Sequence, residues 1–496
     1  MQFESARSIA AKIRNREITA AELVRRTLAQ IEDRNKELNA IVTLNPQALA
    51  EARAADEALA AGRNLGPLHG VPIVVKDSYA TRGLRTTAGY LPLKDFIPTE
   101  DSVVVALLKD AGAIIVGKGN LPTLAMDMQT NNPVFGRTNN PWDPKRTPGG
   151  SSGGDVTALA AGMAYLGFGS DLAGSLRVPA AFTGVYSLKT SYGVVSKQGH
   201  IPPLPDQING LHGLVVMGPI ARSIDDLELA LQVIAQPHPR DKTMRPLVAL
   251  TGPDSQLTVP DLKIAWIDSF AGVPVQAEIR RSMQAFVQRL AQAGAKVTRV
   301  EPGKFDYNQA WQTWGGLVGH QGAYETSNCL RWIGDFFTSD YTAQNPMLRQ
   351  VVGPISVPRY MQLKNSQAAL ITQMDNFLDE YDIWIVPVSS TTAFEHMTPE
   401  RQFGDLNVYE TPILVDGQPV PYYVATQSYT TIFALTENPV LTMPIGLDTT
   451  GLPIGVQVVG RRFLDRRLLK IGGLIDPYGA EIHYPAEKQV PNQRDP

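Results

Sequence analysis

Short runs of β-branched residues recur along this chain with helical segments between them, and this alternation constrains the fold more than any other feature. VPIVV (71–75), AIIVG (113–117), KIAWID (263–268), AKVTRV (295–300), DIWIVPV (382–388), PVLTMPIGL (439–447) and PIGVQVVG (453–460) each read as a strand, and YLGFG (165–169) as another. Thr19-Ala20-Ala21-Glu22 is a capping box opening a helix to about Lys36. Further helices are expected over 46–61, 101–111, VTALAAGM (156–163), the segment after Ser175, 225–235 with Ser223 as cap, and 276–293. The rhythm implies an α/β fold with a mostly parallel sheet. Residues 237–261 read as a surface connection, and 389–424 as a long irregular stretch, a candidate lid or substrate-facing insertion.

The charge balance sets limits on partners. A net charge of −3 over 496 residues gives no global basic field for nucleic acid or an anionic membrane, so neither is expected as a partner. The N-terminal stretch lacks the apolar core of a signal peptide, and no apolar run reaches the length of a membrane span. Cys329 is the single cysteine, which excludes an intramolecular disulfide and points to the cytoplasm. It reads as a buried thiol.

Several familiar signatures fail. Gly112 to Gly119 imitates a phosphate loop, but Gly119 stands where a hydroxyl must hold magnesium and the middle is a strand. No GxGxxG lies between a strand and a helix, and the seven histidines are scattered singly without a cysteine pair, so neither a cofactor nor a metal is expected. GGSSG fits the nucleophile elbow of α/β-hydrolases, with His200, His212 or His320 as partners. That elbow needs a strand upstream, and NNPWDPKRTP (139–148), with three prolines, is a poor one.

Two segments remain. PGGSSGGD (148–155) sets two serines between glycine pairs, which suits no core. GSDLAGSLRVPAAFTG (169–184) leads through small residues to Ser175 near a helix start. The backbone N–H groups of Leu172, Ala173, Gly174 and Ser175 could then point into one cavity, a nest suited to an oxyanion.

With GPLHGVPIVVKD (66–77), GKGN (117–120), FGRTNNPWDPKRTPGGSSGG (135–154), NPVLTMPIG (438–446) and GLPIGVQVVG (451–460), these segments make the chain resemble the amidase signature family of serine hydrolases over nearly its whole length. The resemblance implies one domain, 1–496, on a large twisted mixed sheet with helices on both faces, and a catalytic core over 66–193. It also implies a Lys–cis-Ser–Ser unit: Ser175 as nucleophile, Ser151, 24 positions earlier, as bridging serine in a cis peptide, and Lys76 as base. A serine hydroxyl needs a base within hydrogen-bond reach, and a lysine serves only if burial keeps its amine neutral. Ser152 is expected to hydrogen-bond the loop, Arg177 to be a structural ion-pair partner, and Asp77 to be structural. His69 has no catalytic task, and Tyr422 and Tyr423 are expected to pack beneath the insertion.

Ala173, Gly119 and YSLKTS (186–191) depart from the family pattern without removing a catalytic group. The expected activity is cofactor-free hydrolysis of a small-molecule amide through an acyl-enzyme, by a monomer or homodimer. The alternatives are the glutaminase subunit of a tRNA-dependent amidotransferase and a catalytically silent binding protein on the same fold. Val178 stands where such subunits usually carry glutamine, which favours the first reading.

Overall fold

The computed structural model describes residues 3–205, 214–322, 345, 347–351, 354–403 and 406–485. Its centre is one mixed sheet. From edge to edge the strands are β1 (Ile41–Leu44), β3 (Ile114–Gly119), β2 (Pro72–Lys76), β4 (Leu166–Asp171), β6 (Val216–Ala221) and β5 (Tyr186–Lys189). The order continues with β14 (Val440–Leu447), β15 (Pro453–Val459), β9 (Ile383–Pro387), β7 (Lys263–Trp266) and β8 (Lys296–Arg299). This is the expected α/β architecture, a single domain on a large mixed sheet.

The pairing is less parallel than the strand–helix rhythm implies. β2 runs parallel to β3 and β4, and β7 to β8 and β9, but the centre from β4 through β6, β5, β14 and β15 to β9 is antiparallel. Connection length accounts for one of these pairs. A parallel crossover takes a dozen or more residues, whereas β14 turns straight into β15 at Asp448, where Gly451 N–H donates to the Asp448 carbonyl at 3.0 Å.

Local chemistry sets the helix ends. Thr19 and Ser223 accept from the backbone N–H groups of Glu22 and Asp226, so the helices Ala20–Leu38 and Ile224–Ile234 start where the capping residues place them. The insertion is more regular than expected. Two hairpins, β10–β11 (Arg401–Phe403, Leu406–Val408) and β12–β13 (Ile413–Val415, Gln418–Val420), precede the helix Tyr422–Leu435. Asp416-Gly417, both at positive φ, close the second in the two-residue turn that such hairpins favour. Among the described residues, no helix is long and apolar enough to cross a membrane.

Two features place the site. β2, β3 and β4 lie side by side and are buried along their whole length. The helix Gly153–Ala160 is also wholly buried, and it sits close on these strands because its first turn is glycine. A β-carbon on Gly154 would lie 2.0 Å from Asn120 N and 2.5 Å from the Ala40 carbonyl oxygen, both backbone atoms. Gly154→Ala is therefore expected to cost roughly 3 kcal/mol or more, read as a lower thermal midpoint. An unchanged midpoint would contradict this packing.

Candidate active site

Lys76 ends β2 and is fully buried. Its Nζ lies 2.6 Å from Ser151 Oγ and 3.1 Å from Ser170 Oγ. Burial pulls its pKa down to about 7, against the opposing pull of the Asp155 and Asp171 carboxylates. A lysine that is half neutral near pH 7 can accept a proton. Ser170, on the neighbouring β4, carries no signal in the sequence, since its side of the strand is decided only by register.

The loop before the helix Gly153–Ala160 brings Ser151 to this amine, and the Gly150–Ser151 peptide is cis. The glycines are there because backbone approaches them closely. A β-carbon on Gly150 would come 2.8 Å from the Asp127 carbonyl oxygen, and one on Gly149, at φ +83°, 2.8 Å from Pro179 Cα. Ser152 ties this loop to the nucleophile turn, but through its amide, which donates to the Ser175 carbonyl at 3.1 Å. Its hydroxyl, expected to bond the loop, has no partner among the described residues and packs against Gly169.

Ser175 retains the most exposure of the three, 6% against 1% for Ser151 and none for Lys76. Its turn is built around Asp171. One Asp171 carboxylate oxygen accepts from Gly174 N–H at 2.9 Å and the other from Leu176 N–H at 3.0 Å. Arg177 grips both oxygens at 2.7 and 3.0 Å and also donates to the Thr430 carbonyl and to Gln457. Burial alone would raise the Asp171 carboxyl; the Arg177 guanidinium holds it below the usual range. Arg177 is thus an ion-pair partner, and Asp171, which sequence reasoning passed over, is the centre of the turn.

This geometry narrows the nest of amides. Gly174 N–H faces inward to Asp171 and leaves the group of four. The Leu172 carbonyl accepts from Trp314 Nε1 and the Ala173 carbonyl from the Thr430 hydroxyl. Because each peptide is planar and trans, Ala173 N–H points away from Trp314. Leu172, Ala173 and Ser175 remain as candidate donors.

Beside the serine loop, Asp127 accepts from Tyr409 and Asn407 at 2.6 Å and from Tyr422 at 2.7 Å. It pins the insertion to the segment that packs on Gly150. Tyr423 donates to the Asn407 carbonyl at 2.9 Å, so both tyrosines pack under the insertion. Asp77 accepts from Thr87, and His69 bonds backbone at Leu65 and Ala55. His200 faces Tyr79 edge-on, and His320 bonds the Gly316 carbonyl within its own helix and accepts from the Ser356 N–H, so these contacts aim neither ring at Ser151 or Ser152; His212 and Cys329 lie outside the described residues. Upstream of Ser151, residues 139–150 form no strand, which removes the α/β-hydrolase elbow. Among the described residues, no three His, Cys, Asp or Glu side chains cluster as a metal site would need.

A family profile described as Amidase matches residues 22–469. The chain belongs to the amidase signature family. It is 32% identical to a glutamyl-tRNA(Gln) amidotransferase subunit of Picosynechococcus sp., over 92% of this chain and 94% of the relative. A bacterial aryl acylamidase of the amidase signature family superposes with a TM-score of 0.80 at 25% identity, covering 96% of each chain. The corresponding glutamyl-tRNA(Gln) amidotransferase subunit of Thermotoga maritima superposes with a TM-score of 0.72 at 25% identity, covering 92% of this chain and 91% of that one. These relatives correct one expectation. The expected partners, without nucleic acid on the ground of net charge and with only a monomer or homodimer, do not hold for a chain whose relatives are named as subunits of a tRNA-linked enzyme.

The turn gives a test of its own. Arg177→Met leaves Asp171 buried without its counter-charge, at an expected cost of roughly 3–5 kcal/mol. Thermal unfolding measures it, and a loss below ~1 kcal/mol would show that Asp171 finds other compensation.

Proposed function

We propose that this amidase-family chain cleaves the C–N bond of a carboxylic amide through an acyl intermediate on Ser175. The observation that carries the reading is the 2.6 Å contact between the buried Lys76 Nζ and Ser151 Oγ. On this reading Ser175 Oγ bonds to the amide carbon while its proton passes to Ser151, whose own proton passes to Lys76. The N–H groups of Leu172, Ala173 and Ser175 are the proposed donors to the carbonyl oxygen as it gains charge. The proton returns through Ser151 to the leaving amine, and water or another nucleophile releases the acyl group.

The first reading of the acyl donor rests on Val178, which stands where amidotransferase subunits usually carry glutamine. Val178 is fully buried in an apolar cluster with Met128, Phe182, Phe394 and Tyr422. On that difference a small-molecule amide is the favoured donor. A second reading, the glutaminase subunit of a tRNA-dependent amidotransferase, is favoured by the curated relatives. Glutamine is then the donor, and partner subunits with a tRNA-borne acceptor complete the reaction. The serine chemistry is the same in both.

Two measurements test these readings. A fluorophosphonate is expected to label Ser175, found by peptide mass, with a rate that rises as pH climbs through about 7, because only the neutral Lys76 amine accepts a proton. Lys76→Ala is expected to lose at least ~10²-fold. An adduct on Ser151 or Ser152 with Ser175 free, or full rate in Lys76→Ala, overturns the assignment. For the donor, a panel of anilides and aliphatic amides is assayed beside glutamine, with and without amidotransferase partner subunits and tRNA. Turnover of an apolar amide at least ~10-fold above glutamine supports the first reading; glutamine cleavage that appears only with the partners replaces it with the second.

A further inference from the structure

Asp155 follows the serine–glycine loop, on the first turn of the helix Gly153–Ala160, and is fully buried. Neither carboxylate oxygen hydrogen-bonds to another of the described residues. Two glycines receive it. A β-carbon on Gly119 would lie 2.4 Å from Asp155 Oδ1, and one on Gly167 would lie 3.4 Å from Asp155 Cβ. Gly119 is on β3, in register with Lys76, and Gly167 is on β4, in register with Val74. The Asp155 side chain therefore lies across β2, with its root over Val74 and its carboxylate beside Lys76. Neighbouring strands are ~4.8 Å apart, so Lys76 is the next residue on that face. Gly119, the departure from the usual hydroxyl residue, is what leaves room for the carboxylate. Burial pushes the Asp155 carboxyl up to about 8 while the Lys76 and Lys118 charges draw it down, so its ionised form depends on a cation beside it, Lys118 while Lys76 is neutral and both once Lys76 is protonated.

The other charged groups near Lys76 have partners of their own, although Asp77 Oδ1 and His200 Nε2 have none among the described residues. Asp171 is held by Arg177, and Asp77 accepts from Thr87 and lies near Lys118. Lys118 bonds the Tyr79 carbonyl, Thr81 and Thr86. The Tyr79 hydroxyl bonds the Gly169 carbonyl, and His200, held neutral by burial, bonds the Pro202 carbonyl.

We propose that Asp155 is a positioning residue that supplies the counter-charge to the Lys76 ammonium formed during acylation. When the Ser175 proton reaches Lys76 through Ser151, a neutral amine becomes a cation in a site closed to water. A carboxylate on the same face stabilises that cation without exchanging a proton with the substrate. When the proton returns to the leaving amine, both groups are as they began. The inference rests on the Lys76–Ser151–Ser175 reading above.

The test is the rate of Ser175 labelling by a fluorophosphonate, followed against pH in the whole chain. Removing a negative charge beside Lys76 favours its neutral form, so the rising limb in Asp155→Asn moves to lower pH by about one unit. The plateau rate falls at least ~10-fold as the cation loses its counter-charge. Asp155→Ser carries the same expectation should the asparagine variant not fold. A limb and plateau unchanged within 2-fold overturns the role, as does a slower plateau with an unmoved limb, the result of a purely structural effect. Wild-type protein left unlabelled at Ser175 across the pH range would instead overturn the serine chemistry itself.

Discussion

The candidate chemistry depends on keeping water from one amine. Lys76 has a proton-accepting form near neutral pH because a fully buried strand end leaves its ammonium without solvent. Everything around it preserves that condition. β2 is flanked on both sides by buried strands, the glycine-led helix lies flat against the three, and the serine loop closes the end. At Gly149, Gly150 and Gly154 the close approach is made by backbone meeting glycine, so at these points the seal has no side chain that could swing out.

The core around Lys76 holds other charges, and their partners show what sets this lysine apart. Lys118 and Lys189 are also fully buried, yet each donates to a backbone carbonyl, of Tyr79 and Asn438 respectively. A carbonyl only accepts, so it favours the protonated amine. Burial lowers Lys189 to about 7 as well, and Lys118 also meets the Thr81 and Thr86 hydroxyls, but the partners of Lys76 among the described residues are hydroxyls alone, Ser151 and Ser170. A hydroxyl can donate to a neutral amine as readily as accept from an ammonium, so this environment tolerates both forms. Arg177, with no neutral form to offer, is matched directly by Asp171 and fixes the turn instead of taking part in proton transfer.

What the sequence made legible follows the same physics. Strands buried on both faces, such as β2 and β9, read as unbroken apolar runs, and helices with a capped start and one apolar face, such as Ala20–Leu38, were visible to within a few residues. The helix Tyr422–Leu435 was not, because it is buried on nearly every side and carries no amphipathic stripe. Val357–Glu380 was missed despite a signal, the Ser356 cap followed by proline in the first turn. The two hairpins escaped because strands of three residues have no measurable alternation, although Asp416-Gly417 marked one turn. At the site, Lys76, Ser151 and Ser175 stood out through their unusual setting. Asp127, Asp155, Asp171 and Ser170 did not, since an aspartate or serine gains meaning only from what the fold puts opposite it.

The correction about partners has a physical cause as well. Net charge is an average over the whole surface, here 19736 Å². A specific protein interface takes only about 800 Å² from each partner, roughly one twenty-fifth of that area. A chain of net charge −3 can dedicate such a patch, apolar or locally basic, without any trace in the total. Charge balance thus constrains non-specific attraction to a polyanion, where long-range field matters. It says nothing about a docked partner chain that brings nucleic acid to the site on its own surface. On the proposed reading, the fate of the released amine, lost to solvent or carried to a second acceptor, is therefore decided outside the serine machinery, at the face through which that amine departs.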